Sequence, residues 1–169
     1  MNIAIIPARG GSKRIPRKNI KEFNGKPMIA HAILAAKLSR LFDHIIVSTD
    51  DEEIASISQD WGAETPFLRP AELANDYAAT IPVIDHGIRF CRDLGWDFDY
   101  VCCIYPCVPF IQIEDLLSTY ARLIESKFDY CFPVTEFPSA IQRALKRKGD
   151  GTMQPFYPKF EQTRTQDLE

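Results

Sequence analysis

Several features that would place this sequence in a common class are absent from it. It has no apolar run long enough to cross a bilayer, and Met1 leads directly into a short strand-like stretch rather than a signal peptide. Positive charge is not in excess, since 20 lysines and arginines stand against 23 acidic residues, which argues against a general nucleic-acid binder. We therefore expect a cytoplasmic protein that binds neither membranes nor nucleic acids.

The sequence also lacks the common arrangements of cysteine and histidine. Its five cysteines are an odd number, and Cys103 and Cys107 have no histidine or second cysteine pair nearby, so we expect reduced thiols and no zinc site. No Ser/His/Asp or Cys/His arrangement is visible. The neighbours Asp50 and Asp51 resemble a metal pair, but helix capping is the favoured interpretation of this pair. Thr49 or Asp50 is expected to be the cap of the next helix.

Glycine is scarce, and the two best-known phosphate-binding signatures are missing. The stretch Gly10-Gly11-Ser12-Lys13 does not match the G-x-x-x-x-G-K-[ST] pattern of a Walker A loop. The G-x-G-x-x-G fingerprint of dinucleotide-binding folds is absent as well, which argues against a Rossmann dehydrogenase.

What the sequence does contain is a basic loop directly after an apolar run, Ile3 to Ile6. The loop carries two glycines and five cations, which are Arg9, Lys13, Arg14, Arg17 and Lys18. A buried strand that leads into such a loop is where open α/β sheets bind ligands, and free N–H groups beside cations attract anions. We predict a polyphosphate site here; the alternative is a solvated basic loop.

The remaining pattern predicts an α/β fold with a doubly wound, mostly parallel sheet. The 169 residues suit one domain with a sizeable core, and the boundaries that we predict are a core over 1–137 and a further segment over 138–169. Further strands are predicted at His44–Ser48, Tyr100–Tyr105 and Tyr130–Val134, alternating with amphipathic helices, of which the first begins at Pro27. Gly149-Asp150-Gly151 indicates a hairpin in the last segment.

Two stretches of the sequence carry the resemblance to a known family. They are Ala8 to Asn19, and Arg69-Pro70-Ala71-Glu72-Leu73-Ala74 with Asp76. Both resemble the CMP-sialic acid synthetase family of cytidylyltransferases. The resemblance implies a Rossmann-like nucleotidyltransferase that transfers CMP from CTP to a nonulosonic acid, a nine-carbon sugar acid, and releases pyrophosphate. It also implies Mg²⁺ as cofactor and a homodimer, in which the hairpin belongs to an arm that exchanges between subunits.

The resemblance also implies roles for individual residues. Those placed near the reacting phosphates, as catalytic residues, are Arg9, Lys13 and Lys18. Those expected to bind the nucleotide are Ala8, Gly10, Gly11, Ser12, Asn19, Arg69, Asp76 and Thr80. Arg69 and Thr80 are expected to recognise cytosine, although an arginine before a proline is more often a surface turn residue when it is taken alone.

The segment after the predicted strand at Tyr100 departs from the family pattern. Where the family usually has Gln-Pro-Thr-Ser-Pro-Leu-Arg, this chain has Tyr105, Cys107 and Val108 in place of polar residues. We expect these three residues to bind the sugar and to favour a less hydroxylated acid such as pseudaminic acid over N-acetylneuraminate. Legionaminate is kept as an alternative substrate. An equally weighted alternative makes Cys107 and Val108 core side chains at the end of a strand.

The metal ligands are not visible in this sequence. Family members are longer, and the aspartates that hold their Mg²⁺ lie beyond the part that this chain matches. Either the chain is a truncated product or the protein lacks these carboxylates. A catalytically idle nucleotide-binding module is therefore kept as the rival to a transferase.

Overall fold

The fold is described from a computed structural model for residues 1–168, and the chain divides into two compact units. The first unit is Met1–Cys131, and the second begins at Phe132. In chain order, the elements of the first unit are β1 (Asn2–Pro7), β2 (Glu22–Phe23), β3 (Lys26–Pro27), α1 (Met28–Ser39), β4 (His44–Ser48), α2 (Glu52–Asp60), α3 (Thr80–Asp93), β5 (Tyr100–Cys103) and α4 (Ile113–Ser126).

The centre of the first unit is a parallel sheet with the strand order β4-β1-β5. Ile3 of β1 lies opposite His44 of β4 and Val101 of β5. The four residues Ile3–Ile6 are fully buried, as expected for an apolar run in the middle of a parallel sheet. The predicted parallel sheet is confirmed.

Helices cover both faces of this sheet, because alternate residues of β1 point in opposite directions. On one face Ala4 and Ile6 pack in a cluster with Ile29 and Ile33 of α1. On the other face Ile3 and Ile5 pack in a second cluster, to which α3 contributes Cys91. The buried members of this cluster are Ile3, Ile5, Ile46, Phe67, Cys91 and Phe98. The fold is therefore doubly wound, as predicted.

Two predicted helix starts and one strand end are corrected by the structure. Pro27 is the residue before α1 rather than its first residue. The cap of α2 is Asp51, whose Oδ1 accepts a hydrogen bond from the backbone N–H of Ile54 at 3.0 Å, and not Thr49 or Asp50. The hydroxyl of the buried Thr49 accepts instead, at 3.2 Å, from the backbone N–H of Asp51, which is the residue before the helix. β5 ends at Cys103 and not at Tyr105; it is one of the two edge strands of this sheet, and Cys103 is exposed.

The predicted strand at Tyr130–Val134 is wrong. The structure places no strand at these residues, and the side chains of Tyr130, Phe132 and Val134 are all exposed. A strand is stabilised when one of its faces is buried against a neighbour, and this segment does not bury its apolar residues.

The second unit contains the predicted hairpin, formed by β6 (Leu145–Arg147) and β7 (Met153–Pro155), which pair antiparallel. Gly151 at the turn has a φ of +85°, a conformation that favours glycine. The carboxylate of Asp150 accepts hydrogen bonds from the backbone and the hydroxyl of Thr152, at 2.9 and 2.7 Å. The hairpin is thus held by the residues that predicted it.

Among the helices of residues 1–168, none has the length and apolar character needed to cross a membrane.

Candidate active site

A cavity of about 570 Å³ opens in the first unit, beyond the carboxyl ends of β1 and β5. Its walls come from the basic loop, from the segment around Arg69, from the start of α3 and from the residues that follow β5. The lining residues are Pro7, Arg9, Ser12, Lys13, Arg14, Ile15, Lys18, Asn19, Arg69, Asp76, Ala78, Thr80, Val83, Tyr105 and Pro106. The structure thus brings together residues that are nearly a hundred positions apart in the sequence.

Asn19 holds the two ends of the basic loop together. Its side chain is only 3% exposed, and its amide donates to the backbone carbonyl of Arg9 at 2.9 Å. Its own backbone carbonyl accepts from Ile29 at 2.7 Å, which fixes the loop to α1. The side-chain oxygen of Asn19 accepts a bond from the thiol of Cys107 at 3.3 Å. Asn19 therefore shapes the cavity as well as lining it.

Ala8 and the two glycines of the loop do not line the cavity. Ala8 is fully buried, and its N–H donates to the carbonyl of Ser48 at 2.9 Å. The N–H of Gly10 donates to Oδ1 of Asp50 at 2.9 Å. A Cβ atom added at Gly11 would meet no other atom within 4 Å. These residues give the loop its course, and their predicted contact with nucleotide remains a prediction.

The cations at one side of the cavity are paired with a single carboxylate. Oδ1 of Asp76 lies 2.8 Å from Nη2 of Arg9, and Oδ2 contacts Nζ of Lys13. The hydrogen bonds from Lys13 and then from Arg9 hold the pKa of Asp76 below its usual range. Lys18 also lines the cavity. This wall is suited to bind a polyanion, which can replace Asp76 as the partner of the cations.

Arg69 is buried at the inner wall, with only 6% of its surface exposed. Its Nε donates to the hydroxyl of Ser48 at 3.1 Å, Nη2 donates to the carbonyl of Ser48, and Nη1 donates to the carbonyl of Leu73 at 3.4 Å. Burial is the main cause that lowers the pKa of Arg69. The alternative of a surface turn residue is therefore wrong, and the guanidinium is a rigid donor group at the cavity.

The three residues predicted to bind the sugar are placed differently from one another. Tyr105 lines the cavity, and its hydroxyl is 3.0 Å from the hydroxyl of Thr80. Cys107 is half-buried and bonded to Asn19, and burial is the main cause that raises the pKa of its thiol. Val108 packs against the core cluster that contains Ala4 and Ile6 of β1. The structure brings only Tyr105 into the cavity wall, so sugar contacts by Cys107 and Val108 remain predictions.

Other lining residues were not predicted as site residues from the sequence. Arg14 is one of the loop cations and has no individual predicted role. The apolar residues Ile15, Ala78, Val83 and Pro106 also line the cavity, and the only feature of the sequence that points to them is their closeness to predicted site residues. Arg17, another loop cation, lies outside the lining and pairs with Asp51 and Glu53 of the α2 region instead.

The residues that the structure describes do not form a magnesium site by themselves. Over residues 1–168, no group of three or more histidine, cysteine, aspartate or glutamate side chains is placed to hold a metal ion. Among the residues that line the cavity, the one carboxylate is Asp76, which is already paired with Arg9 and Lys13.

The class that this fold and cavity define is a nucleotide-binding α/β protein with a cationic site at the carboxyl edge of a parallel sheet. Residues 3–147 match the profile of the family described as Cytidylyltransferase, and the chain belongs to that family.

Comparison with curated proteins gives relatives that include the following two. Pseudaminic acid cytidylyltransferase of Campylobacter jejuni is 40% identical over 167 residues, which are 99% of this chain and 72% of that protein. CMP-N,N'-diacetyllegionaminic acid synthase of Legionella pneumophila is 43% identical over 115 residues, which are 68% of this chain and 49% of that protein.

A solved structure gives the same fold. CMP:2-keto-3-deoxy-manno-octonic acid synthetase complexed with CTP matches with a TM-score of 0.62 and 23% identity, over 75% of this chain. This chain spans 48% of the length of that chain. At this level of identity the likeness concerns the fold alone.

Proposed function

We propose that this chain carries the nucleotide-binding core of an enzyme that transfers CMP from CTP to pseudaminic acid and releases pyrophosphate. The observation that carries the proposal is one cavity that holds the cations Arg9, Lys13 and Lys18 beside the buried donor Arg69. This chain is 40% identical to pseudaminic acid cytidylyltransferase of Campylobacter jejuni over 99% of its length, and this similarity supports the choice of reaction.

The reaction needs stabilisation of charge more than covalent help from the protein. The oxygen of the anomeric hydroxyl of the sugar forms a bond to the α-phosphorus, and the bond from that phosphorus to the bridging oxygen of pyrophosphate breaks. The hydroxyl proton passes to water, since we assign no general base. Arg9, Lys13 and Lys18 stabilise the negative charge that builds up on the leaving pyrophosphate.

Recognition of the base is assigned to Arg69 and Thr80. Cytosine offers two acceptors, O2 and N3, and one donor, the N4 amino group. The guanidinium of Arg69 is a donor that hydrogen bonds to Ser48 hold in place, and the hydroxyl of Thr80 can accept or donate. Because Arg69 is already positioned, little conformational entropy is lost when it binds a base.

The choice of sugar rests on the wall that contains Tyr105. A tyrosine and a proline at this position offer an apolar surface with a single hydroxyl, which suits a deoxy sugar better than a heavily hydroxylated one. The second candidate is a legionaminic acid, favoured by the CMP-N,N'-diacetyllegionaminic acid synthase of Campylobacter jejuni, which is 51% identical over 82 residues. N-acetylneuraminate is a further alternative, and it calls for more polar contacts than this wall provides.

Three further features belong to the proposal. Mg²⁺ is the expected cofactor of the family, but the described residues offer no set of ligands that fits it. The segment over 138–169, with its hairpin, is proposed as the start of a dimerisation arm beside a core over 1–137. We propose that the protein is a homodimer and that it works in the cytoplasm. The molecular mass of the complete protein in solution tests the dimer.

Pyrophosphate release by the complete gene product, with CTP and Mg²⁺, tests the proposal. Pseudaminic, legionaminic and N-acetylneuraminic acids are offered in parallel, with a reaction without sugar as the control. We expect release with pseudaminic acid at the highest kcat/KM. Tight binding of CTP without release from any of the acids would instead support a catalytically idle nucleotide-binding module.

A further inference from the structure

We infer that Asp51, acting through Arg17, is a positioning residue that fixes the corner of the basic loop and so places Lys18 at the cavity. This inference rests on the proposed function, because it concerns how the phosphate-binding wall is built. Neither Asp51 nor Arg17 lines the cavity.

The loop turns sharply at Arg17. This residue has a φ of +54°, in the left-handed region that residues other than glycine seldom adopt. Its carbonyl accepts from the backbone N–H groups of both Ile20 and Lys21, at 3.1 and 3.0 Å. Lys18 is the next residue in the chain, and its direction therefore depends on the conformation of Arg17.

The side chain of Arg17 is tied to the start of α2. Nη2 donates to Oδ1 of Asp51 at 3.0 Å, and Nη1 donates to Oδ2 of the same carboxylate. A planar guanidinium and a carboxylate joined by two parallel bonds fix direction as well as distance. A third contact runs from Arg17 to the exposed carboxylate of Glu53.

Asp51 is itself well anchored. Its Oδ1 also accepts from the backbone N–H of Ile54, so it is attached to the first turn of α2. The bond from Arg17 is the main cause that lowers the pKa of Asp51, which keeps the carboxylate charged. Ile54 is buried in the core, and α2 therefore offers a rigid base for the loop.

The other end of the loop is held at the same place. The N–H of Gly10 donates to Oδ1 of Asp50 at 2.9 Å, and a Cβ on Gly10 would lie only 2.6 Å from Oδ2 of Asp51. Two adjacent aspartates after β4 therefore hold the basic loop near its start and at its corner. The pair that resembled a metal site in the sequence acts instead as a double anchor.

Substitution of Asp51 by asparagine separates anchoring from helix capping, because asparagine caps helices as well as aspartate does. Asp51→Asn, Arg17→Met and the double variant are compared with wild type in the complete protein. Glu52→Gln is the matched control, since it removes a carboxylate from the same turn without touching Arg17. Kcat, KM for CTP, the calorimetric affinity for CTP and for pyrophosphate, and the thermal midpoint are measured for each.

We expect Asp51→Asn and Arg17→Met each to lower kcat/KM by about 10- to 100-fold, as small displacements of binding groups do. The double variant should be no worse than Arg17→Met, because that variant already removes the link to Asp51. Affinity for pyrophosphate should fall in parallel, while the thermal midpoint should change little and Glu52→Gln should behave as wild type.

Wild-type pyrophosphate affinity and wild-type kcat/KM in Asp51→Asn would overturn the inference. So would additive losses in the double variant, or losses equalled by Glu52→Gln. If Asp51→Asn fails to fold, Arg17→Met alone decides the matter. If wild type binds CTP but forms no product, the proposed function fails, while pyrophosphate affinity across the variants still tests the anchor.

Discussion

Asp76 shows, at the scale of single residues, how the protein balances the positive charge of its cavity. Its carboxylate pairs with Arg9 and Lys13, and these bonds keep its pKa low, so Asp76 stays charged and paired at neutral pH. A triphosphate has to compete with Asp76 for these cations. The higher charge of the triphosphate favours the exchange.

Lys13→Ala should separate catalysis from stability. The side chain of Lys13 is 79% exposed, so we expect the free energy of unfolding to change by no more than about 0.5 kcal/mol. Turnover should fall by about 100-fold or more, because one group that stabilises the leaving pyrophosphate is lost. Lys21→Ala, an exposed lysine outside the cavity lining, is the control. Unchanged kcat in Lys13→Ala would remove this lysine from the mechanism.

Arg69→Lys tests the buried donor at the inner wall. Lysine keeps the charge but cannot reproduce the forked bonds to Ser48, so we expect a loss of about 1–3 kcal/mol in the free energy of unfolding. The affinity for CTP should fall as well. Chemical denaturation and calorimetry measure the two effects. Arg89→Lys, at an exposed ion pair with Asp85, should leave both unchanged, and equal effects of the two variants would contradict this account.

At the scale of elements, the sheet was predictable because its signal is local. The buried run in β1 and the apolar residues of β4 and β5 are enough to predict these three strands, and the glycines at the hairpin predict its turn. The segment from Tyr130 to Val134 has the same kind of composition and is not a strand. Whether such a segment finds a partner strand depends on tertiary packing, which a single sequence does not contain.

Gly10→Ala and Gly11→Ala form a matched pair that tests the close packing of the loop on α2. A Cβ on Gly10 would lie 2.6 Å from Oδ2 of Asp51, which is held by Arg17, whereas a Cβ on Gly11 meets nothing within 4 Å. We expect Gly10→Ala to cost about 1–3 kcal/mol of stability and to lower activity. Gly11→Ala should be close to wild type in denaturation; the reverse order of the two stabilities would refute the packing.

Two thiols that pack beside β1 make the free energy of unfolding depend on pH in the alkaline range. Burial raises the pKa of Cys91 in α3 and of Cys102 in β5 to about 11. Because the folded pKa lies above that of the unfolded chain, their contribution is complete below about pH 8.5 and is lost as the pH rises towards 11. Chemical denaturation from pH 8 to 11 should show a smaller fall in Cys91→Ala/Cys102→Ala than in wild type. Equal slopes would contradict these pKa values.

At the scale of the whole molecule, the site was predicted in part. The long motif from Ala8 to Asn19 predicts the basic loop, and the family resemblance points to Arg69, Asp76 and Thr80, which all line the cavity. The contact of Asp50 with Gly10 and that of Asp51 with Arg17 could not be predicted from the sequence, since both depend on how β4 and α2 lie beside the loop. Val108 resembled a site residue because it follows a strand, but its side chain faces the core.

The fate of the phosphorus atoms of CTP tests the central claim most directly. The complete protein is incubated with Mg²⁺, pseudaminic acid and CTP that is labelled either at the α- or at the γ-phosphate, and the products are separated by chromatography. The account predicts that the α-label appears in a sugar nucleotide and the γ-label in pyrophosphate, in equal amounts. An α-label that stays in CTP, or that appears in free CMP at the same rate without sugar, would contradict the transfer of CMP to the sugar acid.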